Sequence, residues 1–219
     1  MPCFVTLEGV EGSGKTTQAG LLADHVRTVY GRHVVTTREP GGTEVTQAIR
    51  RLLADPESRL DTRAELFLFL ADRAQHVASV IRPALESGAV VICDRYSDST
   101  LAYQGAGRGH PIELLQRLNA WAARDLVPDL TLWIDCDIST GVRRATKRTG
   151  GPGDRFESEP LEFHRRVREG FAELHAAAPE RIVRIDGDAS VEEVFARVRD
   201  VIADRLASRL RAGERSSTG

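Results

Sequence analysis

The residues best equipped for chemistry lie near the start of the chain, in Gly9-Val10-Glu11-Gly12-Ser13-Gly14-Lys15-Thr16. The spacing G-x-x-x-x-G-K-[ST] wraps backbone N–H groups around phosphate oxygens, with a lysine reaching the outer phosphates and a hydroxyl placed to hold Mg²⁺. The chain carries 30 lysines and arginines, and lysine occurs only at Lys15 and Lys147. A compact ammonium at position 15, in a chain that otherwise uses arginine, points to a polyphosphate. A second cluster follows in Ala89-Val90-Val91-Ile92-Cys93-Asp94-Arg95-Tyr96, an apolar run that ends in Asp-Arg. A carboxylate there can hold Mg²⁺ directly or through water, and the Arg95 fork suits a phosphate. The rival readings are a plain glycine turn and a surface ion pair. The presence of both elements in one chain weighs against them.

These residues need a frame. Cys3–Glu8 reads as a strand, and after Thr16 and Thr17 leucines and alanines recur at helical spacing to about Tyr30. Strand, glycine loop, helix is the order that aims a helix N-terminus at phosphate. Further strands are predicted at 33–37, 90–93, 130–135 and 182–186. Helices are predicted at about 15–30, 44–54, 62–86, 112–123, 139–148, 161–177 and 190–208. This alternation predicts an α/β fold, a P-loop three-layer sandwich with a five-stranded parallel sheet flanked by helices. Ligands of such sheets gather at the carboxyl ends of the strands. Thr149-Gly150-Gly151-Pro152-Gly153-Asp154 is a breaker cluster between helices and predicts a mobile lid over about 147–157. One domain spans 1–208, and 209–219 is expected to be a disordered tail.

Composition narrows the partners. The net charge is −2, so no basic footprint for nucleic acid is present. No apolar run is long enough to span a membrane, and the first strand begins at once, leaving no room for a signal peptide. Cys3, Cys93 and Cys136 stand alone in apolar surroundings and read as buried, reduced thiols. The expected location is cytoplasmic.

With both phosphate elements in place, the chain resembles the thymidylate kinase family over about residues 3–207. The likeness rests on the glycine loop with its acidic Glu11, Thr37-Arg38-Glu39-Pro40-Gly41-Gly42-Thr43, Phe69 through Arg73, Asp94-Arg95-Tyr96-Ser97-Asp98-Ser99-Thr100 and Ala102-Tyr103-Gln104-Gly105. The resemblance implies ATP as donor, dTMP as acceptor and Mg²⁺ as cofactor. It implies a donor site of Gly9 through Thr17, with Arg143 or Arg144 against adenine. In the acceptor site it implies Phe69 stacked on the base, Arg73 on its O4, and Ser99, Thr100 and Gln104 nearby. Tyr103 would crowd out a 2′-hydroxyl, and Glu11 would lie near the 3′-hydroxyl. Arg38 and Arg95 would grip the acceptor phosphate beside the Pro40 turn. Glu39 has no clear role, and capping the next helix is one reading. The loop carries Glu11-Gly12-Ser13 and no arginine, so the chain resembles members that draw catalytic charge from the lid. Arg148 and Arg155 are the candidates, with Lys15 and Arg95, and Lys147 is a weaker one. The resemblance also implies a homodimer, with the apolar helix of about 64–81 able to serve as the interface. A kinase for another nucleotide and a silent relative are the rivals. A GTPase would need an N-K-x-D string, but the only asparagine is Asn119, followed by Ala-Trp.

Overall fold

The computed structural model describes residues 1–149 and 153–211, and the side chains of all of these except Arg148 and Thr149. The strands are β1 (Cys3–Glu8), β2 (Val34–Arg38), β3 (Val90–Asp94), β4 (Leu130–Asp135) and β5 (Ile182–Asp186). They form one parallel sheet in the order β2-β3-β1-β4-β5. β1 and β4 are buried at every position, as their mostly apolar runs require, whereas the edge strands β2 and β5 are only partly buried.

The helices are α1 (Lys15–Tyr30), α2 (Glu44–Ala54), α3 (Thr62–His76), α4 (Arg82–Glu86), α5 (Ser97–Thr100), α6 (Ile112–Ala123), α7 (Ile138–Thr149), α8 (Leu161–Ala177) and α9 (Val191–Arg211). On one face of the sheet, Cys3, Val5 and Leu7 of β1 meet Leu22 and Val26 of α1 and Val198 of α9. On the other face, Phe4 and Val91 meet Val77 and Ile81, while Trp133 meets Val167 and Phe171 of α8. The expected three layers are present.

Three departures have local causes. The helix expected over 62–86 is broken by a π-turn at Val77–Ile81, which leads into α4, where Pro83 offers no N–H donor. The predicted helices omit 97–107, which folds as α5 and a second π-turn, Leu101–Gly107; its glycines hid the helical pattern. The helix expected to stop at 208 runs to Arg211. Leu210 is buried, Arg32 donates to its carbonyl, and Arg209 pairs with Asp129 at 2.7 Å, so residues 209–211 belong to the fold and not to a tail. The remainder of the expected tail, and residues 150–152 of the expected lid, lie outside the described residues. The three cysteines are free and buried. Among the described residues, no helix is long and apolar enough to cross a membrane.

Candidate active site

Parallel register brings the chemistry to one edge. Arg38 of β2 stands opposite Asp94 of β3, and Asp94 opposite Leu7 of β1. Each strand therefore delivers its next residue, Glu39, Arg95 and Glu8, to the same rim. The glycine loop leaves β1 there and turns into α1 at Lys15. Lys15 is buried, and its ammonium donates to the Val10 carbonyl (2.8 Å) and Ser13 Oγ (3.2 Å). Burial, helped by Arg95, lowers its pKa to about 8. Thr16 Oγ1 donates to Asp94 Oδ2 at 2.5 Å, uniting the two sequence elements read as cation ligands. Thr16 and Thr17 are exposed on the first turn of α1. The loop also bears on α7: a Cβ placed on Gly12 would stand 2.0 Å from the Gly141 carbonyl oxygen, and one on Gly141 would stand 2.5 Å from that of Glu11.

Glu11 turns away from the loop's anion cradle. Arg95 pairs with it at 2.8 Å, and the Tyr103 hydroxyl lies 2.7 and 2.8 Å from its two oxygens, donating to one at a time. His164 Nδ1 lies 3.5 Å away. Burial raises the Glu11 pKa, but Arg95, His164, Lys15 and Tyr103 outweigh it and bring it down to about 2. A carboxylate that looked unwelcome beside phosphate is thus held by its own cations and donors. Arg95 also donates to the Gly9 carbonyl (2.7 Å) and Ser99 Oγ (3.2 Å), and its guanidinium sits 4.9 Å from the Tyr103 ring centre.

Arg73 of α3 is buried and already held by several partners. It pairs with Glu39 at 2.8 Å, donates to Thr100 Oγ1 at 2.9 Å and to Asn119, and lies over the Tyr96 ring. Glu39 is therefore not a helix cap; Thr43 caps α2, while Glu39 is buried between Arg73 and His76 (2.9 Å). His76 crowds the turn after Pro40 so closely that a Cβ on Gly42 would come within 2.4 Å of its ring. Asp72 accepts from the Gly41 N–H at 2.8 Å, and burial beside Glu39 raises its pKa to about 7.

These groups line one cleft of about 980 Å³, part of it open to solvent. Its walls include Glu11, Gly12, Lys15, Thr16 and Asp94 on the loop side. On the other side stand Arg38, Pro40, Phe69, Arg73 and Arg95, with Ser99, Thr100, Tyr103 and Gln104. Arg38 is exposed there and makes no hydrogen bond or ion pair among the described residues. Gln104 donates to Glu65 at 2.9 Å. Gly9, Val10, Ser13, Gly14 and Thr17 belong to the loop and the start of α1 without facing this cleft. Arg143 and Lys147 are exposed on α7, as is Arg144, which reaches the Gly187 carbonyl at 3.4 Å. The Arg148 side chain lies outside the described residues. Arg155, expected beside the transferred group, is instead committed to Glu65 at 2.6 Å and the Leu53 carbonyl at 3.0 Å, and does not line the cleft. Its competing partner is a buried carboxylate that also holds Arg108 and Gln104.

Sequence reasoning missed Phe156, which lies 5.8 Å from Phe69 and 6.0 Å from Tyr103 and closes the aromatic wall. An isolated aromatic straight after the glycine cluster was its only signal. Arg50, which lines the cleft and donates to the Pro40 carbonyl at 2.9 Å, and the buried His164 gave none.

The profile of the family described as Thymidylate kinase matches residues 7–198. The chain belongs to the thymidylate kinase family. It is 50% identical over 212 residues to the thymidylate kinase of Pelobacter propionicus, covering 94% of this chain and 96% of that one. It is 53% identical over 209 residues to that of Solidesulfovibrio magneticus, covering 93% and 100%. The crystal structure of thymidylate kinase from Ehrlichia chaffeensis superposes with a TM-score of 0.76 at 36% identity, covering 92% of this chain and 98% of that one. Family membership makes the chain a phosphotransferase.

Proposed function

We propose that the chain transfers the γ-phosphoryl of ATP to dTMP, giving dTDP and ADP. One observation carries the reading: the Lys15 loop and the Arg95–Glu11–Tyr103 cluster open into the same cleft, with the exposed Arg38 at its rim. The acceptor phosphate is already an anion, so no general base is needed; positioning and charge neutralisation suffice. Lys15 holds the donor's outer phosphates while Arg38 and Arg95 hold the acceptor's. Phe69 supplies a ring for the base, Arg73 a donor for its carbonyl, and Tyr103 a wall against a 2′-hydroxyl. Thr16 and Asp94 present a hydroxyl and a carboxylate oxygen side by side, a donor set that fits Mg²⁺. When bound, that ion neutralises charge on the donor phosphates. Arg144 is assigned to the donor side. Lid charge falls to Arg148, whereas a role for Arg155 requires its Glu65 pair to open.

Ala64, Phe67, Ala71, Ala74 and Ala78 recur at alternating spacings of three and four and are all exposed, which supports pairing of two copies through α3. Three free buried thiols suit a reducing, cytoplasmic setting. The decisive assay is ADP release with MgATP across nucleoside monophosphates. dTMP is expected to react fastest, with leakage to dUMP because one methyl discriminates by only about 1–3 kcal/mol. No dTMP-dependent ADP release overturns the reading.

A further inference from the structure

Arg95 reaches its partners from a strained backbone. Its φ is 72°, in the left-handed region that a side chain with a Cβ seldom adopts. Something nearby must hold it there. Glu8, the last residue of β1, is fully buried, and no step of the proposed reaction uses it. Its Oε1 accepts the Tyr96 N–H at 2.8 Å and the Ser99 N–H at 3.3 Å, fastening the two backbone groups that follow Arg95. Its Oε2 takes the hydroxyl proton of Ser99 at 2.5 Å. A hydroxyl has one proton, so Ser99 Oγ is left with lone pairs, and Arg95 donates to it at 3.2 Å.

We propose that Glu8 is the positioning residue for Arg95, acting by clamping the backbone after it and by orienting the Ser99 hydroxyl as an acceptor. The inference rests on the proposed role of Arg95 at the acceptor phosphate. Its loss falls mainly on dTMP, the ligand whose phosphate Arg95 is proposed to grip. Glu8→Gln keeps an acceptor for the two N–H groups but puts an amide donor against Ser99, turning its hydroxyl proton toward Arg95. Glu8→Ala removes both actions. Ser99→Ala removes only the relay.

The test measures dTMP affinity by calorimetry and steady-state constants for both substrates, with thermal unfolding as a control. Glu8→Ala is expected to weaken dTMP binding by about 30-fold, and Glu8→Gln and Ser99→Ala by about 5-fold, within the range for lost hydrogen bonds to charged groups. The KM for ATP should change less than the dTMP affinity, because, among the described residues, Arg95 meets the phosphate loop only through the Gly9 carbonyl and Glu11. In an Arg95→Ala background the Glu8→Gln effect should vanish, because a positioning residue has nothing left to position. An equal loss in that background overturns the inference, as does an unchanged dTMP affinity in folded Glu8→Gln. If Glu8→Ala fails to fold, the other two variants decide. Wild type that binds no dTMP refutes the functional reading instead, so the two failures are distinct.

Discussion

The proposed acceptor side and the proposed donor side of the cleft are built on opposite plans. On the acceptor side, Arg95 and Arg73 are enclosed and already hold protein acceptors: Glu11, Gly9 and Ser99 for one, Glu39, Thr100 and Asn119 for the other. On the donor side, Thr16 and Thr17 are exposed, and Arg144 makes one long hydrogen bond among the described residues. The difference teaches where geometry is fixed in advance. Under the proposed assignment, the acceptor would meet cations already held in place, and the donor a loop of backbone N–H groups with one committed ammonium. Arg38 crosses the plan, being an acceptor-side cation left free.

The harshest way to break the comparison is Lys15→Ala. It removes the one enclosed cation of the donor side, and turnover should fall by more than 100-fold, equivalent to about 3–4 kcal/mol. Near-normal kcat in the purified variant would mean the donor is held by backbone alone. Next comes the pair Arg73→Ala and Arg38→Ala. Arg73 leaves Glu39 buried without its guanidinium, so unfolding free energy should drop by about 3–5 kcal/mol in denaturant titration. Arg38→Ala should change stability by less than about 0.5 kcal/mol and raise the KM for dTMP. Equal stability losses would erase the distinction between a prebuilt and a free cation.

The two smaller effects are pH profiles. The Lys15 pKa near 8 means that free enzyme loses its ammonium as pH rises through 8, while bound phosphate favours the protonated form. ATP affinity should therefore weaken from pH 7 to pH 9.5, read as a rising Kd, and a flat profile would contradict the buried ammonium. Glu11 works in the other direction. Its folded pKa of about 2 lies below the ordinary value of 4.5, so its contribution to stability is present above 4.5 and is lost as pH falls toward 2. Glu11→Gln should flatten the acid limb of a stability–pH curve between those values. An unchanged limb would mean that Arg95 and Tyr103 do not hold the carboxylate as described.

Legibility in the sequence followed the range of the signal. The glycine loop, the apolar strands and the Asp94-Arg95 end are contiguous, and their chemistry could be read from a few residues in a row. Phe69 and Arg73 share a helix face, so local periodicity brought them together. Asn119, Glu39 and His164 gave no such sign, because each acquires its role by meeting a residue from a distant element. Arg155 was misplaced for a related reason: its charge was visible, but the buried Glu65 that claims it lies 90 residues away. The π-turn at Val77–Ile81 was hidden because one extra residue in a turn leaves the apolar pattern nearly intact, whereas that at Leu101–Gly107 was hidden by its glycines.

The meeting of Gly12 and Gly141 has a mechanical meaning. Main chain rests on main chain there, with no side chain between to be compressed. A joint of that kind acts as a bearing rather than a spring. A side chain on either glycine would force the glycine loop and α7 apart, so the spacing between them is set by two missing methyl groups.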